Sequence, residues 1–315
     1  MTGQDLAMRD MKIVVLGGSG FIGRKLVSRF RSEGCRDITV FDRTSAADHD
    51  DDGVRHVSGS FAAGFDFAGL VRGADLVVHL ISTSVPGTES GALSEIQRNV
   101  IPSVELFQAC AECGVKKVVF LSSGGTVYGN SGRQANRETD LPDPINTYGL
   151  QKLMIEQALR LCATTGGFDC QIIRLSNPYG PGQNPQGPLG LITKLVYQAI
   201  NGETIQIFGD GSVVRDFIYI DDAVVCIMDV IGNGAPNETI NIGRGVGTSV
   251  SEVIETLERV LPIQVNVTHR PGRSVDVPYS VLDIAKYRSF GSVREFVSLA
   301  DGIRKTYDFF RKGRS

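Results

Sequence analysis

The run Lys12–Leu16, KIVVL, leads directly into Gly17-Gly18-Ser19-Gly20-Phe21-Ile22-Gly23 and then into the helical pattern RKLVSRFRSEG. Glycines at 17, 20 and 23 give G-x-x-G-x-x-G between a strand and a helix. Such a turn is tight, lets a ligand backbone approach without side chains in the way, and packs the helix close to the strand. The amides at the helix N-terminus then face a pyrophosphate. Asp42 follows nineteen residues after Gly23, at the end of the next apolar run. A carboxylate there accepts hydrogen bonds from the adenosine ribose hydroxyls and repels a 2′-phosphate, so NAD is expected in preference to NADP. The adjacent Arg43 argues in the other direction.

Short apolar runs alternate with helical patterns through the first half of the chain, as in βαβ units. Strands are expected at Lys12–Leu16, Asp37–Phe41, Val54–Val57, Leu76–Leu80, Lys117–Leu121 and Cys170–Arg174, and helices at about 93–113 and 148–164. The fold class is therefore α/β, a doubly wound parallel sheet of the Rossmann type with a smaller C-terminal substrate-binding lobe. After Arg174 the texture changes to NPYGPGQNPQGPLG. We place the dinucleotide-binding domain at residues 1–174 and the substrate lobe at 175–315. The lobe is expected to be discontinuous, with the segment around 210–243 partly returning to the first domain through a strand at Glu238–Ile242.

With a net charge of −3, the chain has no basic field for nucleic acid and no cationic run for an anionic membrane. Its six cysteines are scattered through apolar segments, as expected of reduced thiols. The Cys110-x-x-Cys113 pair lies inside a helical pattern without a second pair, so no metal is expected. Neither a signal-like N-terminus nor a membrane-spanning apolar run is present, and a cytoplasmic location is expected.

Tyr148-x-x-x-Lys152 places a phenol and an ammonium on one face of a helix. A phenol with its ordinary pKa of about 10 is a poor base at neutral pH, and a cation one turn away favours the phenolate. Beside the glycine loop and this pair stand HLIS at 79–82, Asn99, SSGGTVYG at 122–129, RLSNPYGPG at 174–182, RDFIYIDDA at 215–223 and Arg273-x-x-Asp276. Over nearly its full length the chain resembles the extended short-chain dehydrogenase/reductase family, within it the sugar-nucleotide epimerase/dehydratase group.

The resemblance implies that Tyr148 is the acid/base on a sugar 4-hydroxyl and Lys152 its modulator and ribose ligand. It implies cofactor contacts at Gly17, Gly20, Phe21, Ile22, Gly23, Asp42, Arg43, Ser60, Phe61, Leu80, Ile81, Ser82 and Asn99, besides Tyr148 and Lys152. The nucleotide-diphosphate sugar falls to Asn177, Tyr179, Arg215, Arg273, Asp276 and Ser280. Two positions depart from the family pattern. The usual catalytic Ser or Thr is replaced by Gly124, leaving Thr126 as first choice and Ser123 as second for the missing hydroxyl; and Ser60 stands where an Asp often meets the adenine.

Gly125 and Thr126 occupy the positions where the family's dehydratases carry Asp-Glu, which disfavours dehydration. A 4-epimerase working through a transient 4-keto sugar is preferred, with Ser280 leaving room for a 2-acetamido group. The alternatives are an NAD(P)H-dependent 4-keto reductase and a non-catalytic NAD-sensing or scaffold protein. The family also implies a homodimer through helices 93–113 and 148–164.

Overall fold

The computed structural model describes residues 8–43, 53–88, 90–130, 132, 134–263, 265–271, 277–293 and 295–313. Its centre is a seven-stranded parallel sheet. In chain order the strands of the protein are β1 (Lys12–Leu16), β2 (Asp37–Asp42), β3 (Val54–Ser58), β4 (Leu76–His79), β5 (Lys117–Ser123), β6 (Asp169–Leu175), β7 (Asn177–Tyr179), β8 (Ile205–Phe208), β9 (Val214–Tyr219), β10 (Glu238–Ile242), β11 (Gly247–Ser249), β12 (Val267–Arg270) and β13 (Tyr279–Ser280). The large sheet runs β10-β6-β5-β4-β1-β2-β3. The strand order reverses between β1 and β4, so their C-terminal ends open a crevice of the kind that holds ligands in such sheets.

Side-chain alternation explains why the sheet is covered on both faces. Ile13 and Val15 enter one core with Leu26 and Phe30 of the Phe21–Ser32 helix, whereas Val14 and Leu16 enter the other with Leu106, Phe107, Ile155 and Leu159. A parallel strand buried on both sides reads as a continuous apolar run, as KIVVL does. Beyond it, β9 is flanked by β11 and β13 and also pairs with β7, while β8 pairs with β12. These smaller mixed sheets lie on the C-terminal part of the chain.

The expected 93–113 helix is interrupted. Ala92–Glu95 is α-helical, Ile96–Val100 forms a π turn, and Ile101–Glu112 continues as α-helix. Pro102 stands in the first turn of that last segment and has no N–H to return to the residue 98 carbonyl, which accounts for the widened turn. The catalytic-helix candidate, Thr147–Gly166, is capped at its start by Asn146, whose side chain accepts from Gly149 N–H at 2.7 Å. It ends on Gly167 in the left-handed region at φ +71°. No helix among the described residues is long and apolar enough to cross a membrane.

Candidate active site

Gly17 has φ +86°, and its N–H donates to Phe41 O at 2.8 Å. A Cβ there would lie 3.2 Å from Ile81 Cγ1 and 3.3 Å from Leu80 Cβ, so the loop after β4 rests against the glycine turn. At Gly23 a Cβ would stand 2.2 Å from Gly17 O, which ties helix approach to glycine. The Phe21–Ser32 helix begins at Gly20 with no side-chain cap and no acidic residue in its first turn. Its positive dipole end is thus suited to an anion. Ser19 Oγ is buried without a hydrogen-bond partner among the described residues, while Ser19 N–H donates to Asp42 Oδ2 at 3.2 Å. Asp42 Oδ1 accepts from Arg43 N–H at 2.9 Å. The glycine cradle, the orphaned hydroxyl and the carboxylate at the end of β2 fit a dinucleotide.

The other residues expected to meet a cofactor differ in exposure and in their partners. Phe21 and Ile22 are half-buried against the core, and Ser60 is exposed. Phe61 is buried with its ring 5.0 Å from His79 and 5.6 Å from Phe67. Ser82 Oγ donates to Ser84 O at 2.8 Å. Asn99 is buried, and its amide is engaged within the protein at both ends, by Thr83 N–H and by Glu95.

Tyr148 and Lys152 are buried on one face of the Thr147–Gly166 helix. Lys152 Nζ donates to Leu121 O at 3.0 Å and lies 4.7 Å from the Phe120 ring and 5.8 Å from the Tyr148 ring. Burial pushes the Lys152 ammonium down to about 8, with Glu156 opposing the shift. The pair therefore combines a phenol with a poorly solvated cation, the arrangement that supports a phenolate.

The segment after β5 accounts for Gly124. A Cβ there would meet Leu282 Cδ1 at 2.6 Å and Arg174 O at 3.1 Å, so a leucine fills the place of a side chain. Thr126 is buried, and its Oγ1 has no hydrogen-bond partner among the described residues. A buried hydroxyl left unsatisfied costs about 1–3 kcal/mol, a penalty that a bound ligand oxygen relieves. Ser123 is half-buried. A Cβ on Gly125 would lie 4.0 Å from Ser123 Oγ and 3.9 Å from the Asn177 amide, so Ser123, Gly125 and Asn177 converge.

Asn177 Nδ2 donates to Asp216 O at 3.0 Å, which fixes it beside β9. Arg215 on β9 is registered with Thr248 and Ser280, and its Nη1 donates to Val277 O at 2.6 Å. Ser280 is buried, while the hydroxyl of Tyr279 reaches towards Gly247. Tyr179 is not brought to this group. Its ring packs edge-on against Phe217 and Tyr219, and a Cβ on Gly302 would strike its hydroxyl at 2.0 Å. Arg273 and Asp276 lie outside the described residues.

Several buried polar residues had no role in the sequence reading. Glu156, one turn beyond Lys152, pairs with Arg174 at 2.7 Å and accepts from the Ser122 hydroxyl. Arg174 also covers the Tyr128 ring at 4.7 Å. Asp216 is fully buried and accepts from the N–H groups of Arg244 at 2.8 Å, Gly245 at 3.0 Å and Leu282 at 3.4 Å. The available signals were an arginine inside an apolar strand and a glutamate four residues after Lys152.

His79 is fully buried among Phe61, Phe107 and Phe120, with Nε2 3.0 Å from Ser103 Oγ. Burial lowers its pKa from 6.5 to about 3, with the Lys152 charge adding to the effect. The unfolded chain therefore binds this proton more readily, and the stability due to His79 is lost as pH falls from 6.5 towards 3. Asp216 acts in the opposite sense. Burial raises it from 3.8 to about 6 against its backbone donors, so its contribution falls as pH rises through that interval. The two slopes offset each other between about pH 4 and 6. His79→Phe should unmask the Asp216 slope, up to about 1.4 kcal/mol per pH unit, in urea unfolding followed from pH 4 to 7. Parallel curves for variant and wild type would contradict the assignment.

The profile of the NAD dependent epimerase/dehydratase family matches residues 13–243. The chain belongs to that family. It is 31% identical over 311 residues to the UDP-glucose 4-epimerase of Mycolicibacterium smegmatis, covering 96% of this chain and 99% of the relative. The structure of UDP-glucose 4-epimerase with UDP-glucose from Thermotoga maritima superposes with a TM-score of 0.90 at 30% identity, covering 97% of this chain and 100% of that one. The UDP-N-acetylglucosamine 4-epimerase from Methanobrevibacter ruminantium M1 gives 0.88 at 26% identity, with 97% and 99% covered. This chain is thus an NAD-dependent enzyme of the nucleotide-sugar epimerase family.

Proposed function

We propose that the protein interconverts the 4-epimers of a UDP-hexose and accepts 2-acetamido sugars as well as plain ones. The observation that carries this reading is the buried Tyr148–Lys152 pair on a helix packed against the segment with the unpartnered Thr126 hydroxyl, while positions 125 and 126 supply no further acid or base. Held at the Gly17–Gly20–Gly23 turn and Asp42, NAD would supply a reversible hydride acceptor for sugar C4. Tyr148 takes the proton of the 4-hydroxyl and later gives it back to the oxygen of the 4-keto sugar. Lys152 holds positive charge beside the phenolate, and Thr126 or Ser123 donates to the sugar oxygen. Arg215 and Asn177 hold the diphosphate, by a charge-assisted bond and an amide bond respectively, so the hexose can turn while the nucleotide stays in place. Gly125, where an added Cβ would meet nothing closer than 3.9 Å, and the short side chain of Ser280 favour that turn.

Two substrates test the finer reading. Purified protein offered UDP-glucose and UDP-N-acetylglucosamine in separate tubes should produce the 4-epimer of each. Turnover of the glucose compound alone would remove the role given to Ser280.

The same reading includes a homodimer. The outer faces of the 92–112 and 147–166 segments expose Leu93, Ile101, Leu150 and Leu161, which is more apolar surface than these helices need to cover the sheet. Sedimentation should give the mass of two chains, and Leu150→Lys with Leu161→Lys should give one. A wild-type monomer at micromolar concentration would contradict this pairing.

A further inference from the structure

A buried polar network lies behind the cofactor crevice and takes no part in the chemistry described above. Glu95 ends the short Ala92–Glu95 helix and is 3% exposed. Its Oε2 accepts from Asn99 Nδ2 at 3.1 Å and from the Ser84 hydroxyl. Ser84 Oγ in turn accepts from Gln151 Nε2 at 3.0 Å, and Gln151 stands between Tyr148 and Lys152 on the catalytic helix. Asn99 Oδ1 accepts from Thr83 N–H at 2.8 Å. The loop so held begins where Leu80 N–H donates to Leu16 O at 2.9 Å and Ile81 lies against Gly17. Residues 80–84 are therefore fixed to the glycine turn at one end and to the catalytic helix at the other.

We propose that Glu95 is a positioning residue for NAD, clamping the 80–84 loop to the catalytic helix and so setting the crevice in which the cofactor lies. The inference rests on the family's cofactor and on the roles given to Tyr148 and Lys152. A carboxylate suits the task because it only accepts, and so can take hydrogens from Ser84 and Asn99 together. Core packing alone would favour an apolar side chain, since a buried carboxylate must be repaid with hydrogen bonds. The π turn at Ile96–Val100 carries Asn99, and such turns recur at functional sites. Glu95 touches neither the sugar nor the reacting atoms in this account, so its effect should appear in cofactor retention rather than in sugar affinity.

The test is the rate at which NAD leaves the purified holoprotein, read without turnover, for Glu95→Gln, Ser84→Ala and the double variant. Each single variant should release NAD on the order of tenfold faster than wild type, because Glu95→Gln takes the charge from two hydrogen bonds and Ser84→Ala removes the hydroxyl that joins Glu95 to Gln151. The double variant should be no faster than the worse single one, since both changes open the same clamp. KM for the sugar nucleotide should stay within about twofold, because uniform sugar binding is untouched. Wild-type release rates in the single variants, or effects that multiply in the double, would overturn the proposal. If Glu95→Gln does not fold, the release rate of Ser84→Ala decides alone. A protein that turns over no UDP-sugar yet releases NAD faster in these variants would contradict the epimerase reading and leave the clamp standing.

Discussion

Tyr148→Phe is expected to lower kcat by roughly 10²–10⁴-fold, the range lost when a positioned acid/base is removed. The change deletes one oxygen from a side chain that is 9% exposed, and leaves the ring beside Lys152 unchanged. NAD content should therefore match wild type, and the loss should fall on kcat rather than on KM. Thr126→Val makes a milder version of the same test. Its hydroxyl has no partner among the described residues, so removing it relieves a buried polar group and should not destabilise the fold. A fall in kcat without a fall in stability would assign the hydroxyl to the sugar. If Thr126→Val retains full activity, Ser123→Ala is the next variant to measure. Full turnover by Tyr148→Phe would contradict the mechanism itself.

The largest stability effect is expected at Arg174. Its guanidinium meets Glu156 through Nη2 at 2.7 Å and Nε at 3.1 Å, and the Glu156 side chain is wholly shielded from solvent. Arg174→Met leaves that carboxylate with the Ser122 hydroxyl and the more distant Lys152. Breaking one side of a buried pair costs about 3–5 kcal/mol, whereas replacing both sides with apolar groups is often neutral. Arg174→Met should thus unfold at much lower urea, and adding Glu156→Met should recover most of the loss. A destabilisation below about 1 kcal/mol would mean that the pair is not the anchor described here.

What could be read from the sequence was whatever local geometry dictates. The turn at Gly17 needs a positive φ, and Gly23 has no room for a side chain, so the glycine spacing points directly to the phosphate cradle. Strands buried on both faces leave continuous apolar runs, and β1, β2 and β4 appear within a residue of their expected bounds. The π turn at Ile96–Val100 escaped because apolar periodicity across 93–113 does not reveal one extra residue in the turn. Contacts between distant segments were hidden as well. Leu282 fills the side-chain position of Gly124 from 158 residues away, and no local pattern announces it. Ser84, Glu95 and Gln151 read as ordinary polar residues until the fold buries them together. Asn99 shows the same limit in another way, since the motif marked the position while the contacts that occupy its amide come from the fold.

The most direct measurement is proton NMR of UDP-glucose incubated with the purified holoprotein, with no cofactor added. The account predicts that the anomeric signal of UDP-galactose grows to equilibrium, because hydride and proton both return to the same sugar and the NAD is regenerated in place. No epimer after NAD is supplied, together with consumption of a 4-keto sugar nucleotide at the expense of NADH or NADPH, would contradict it.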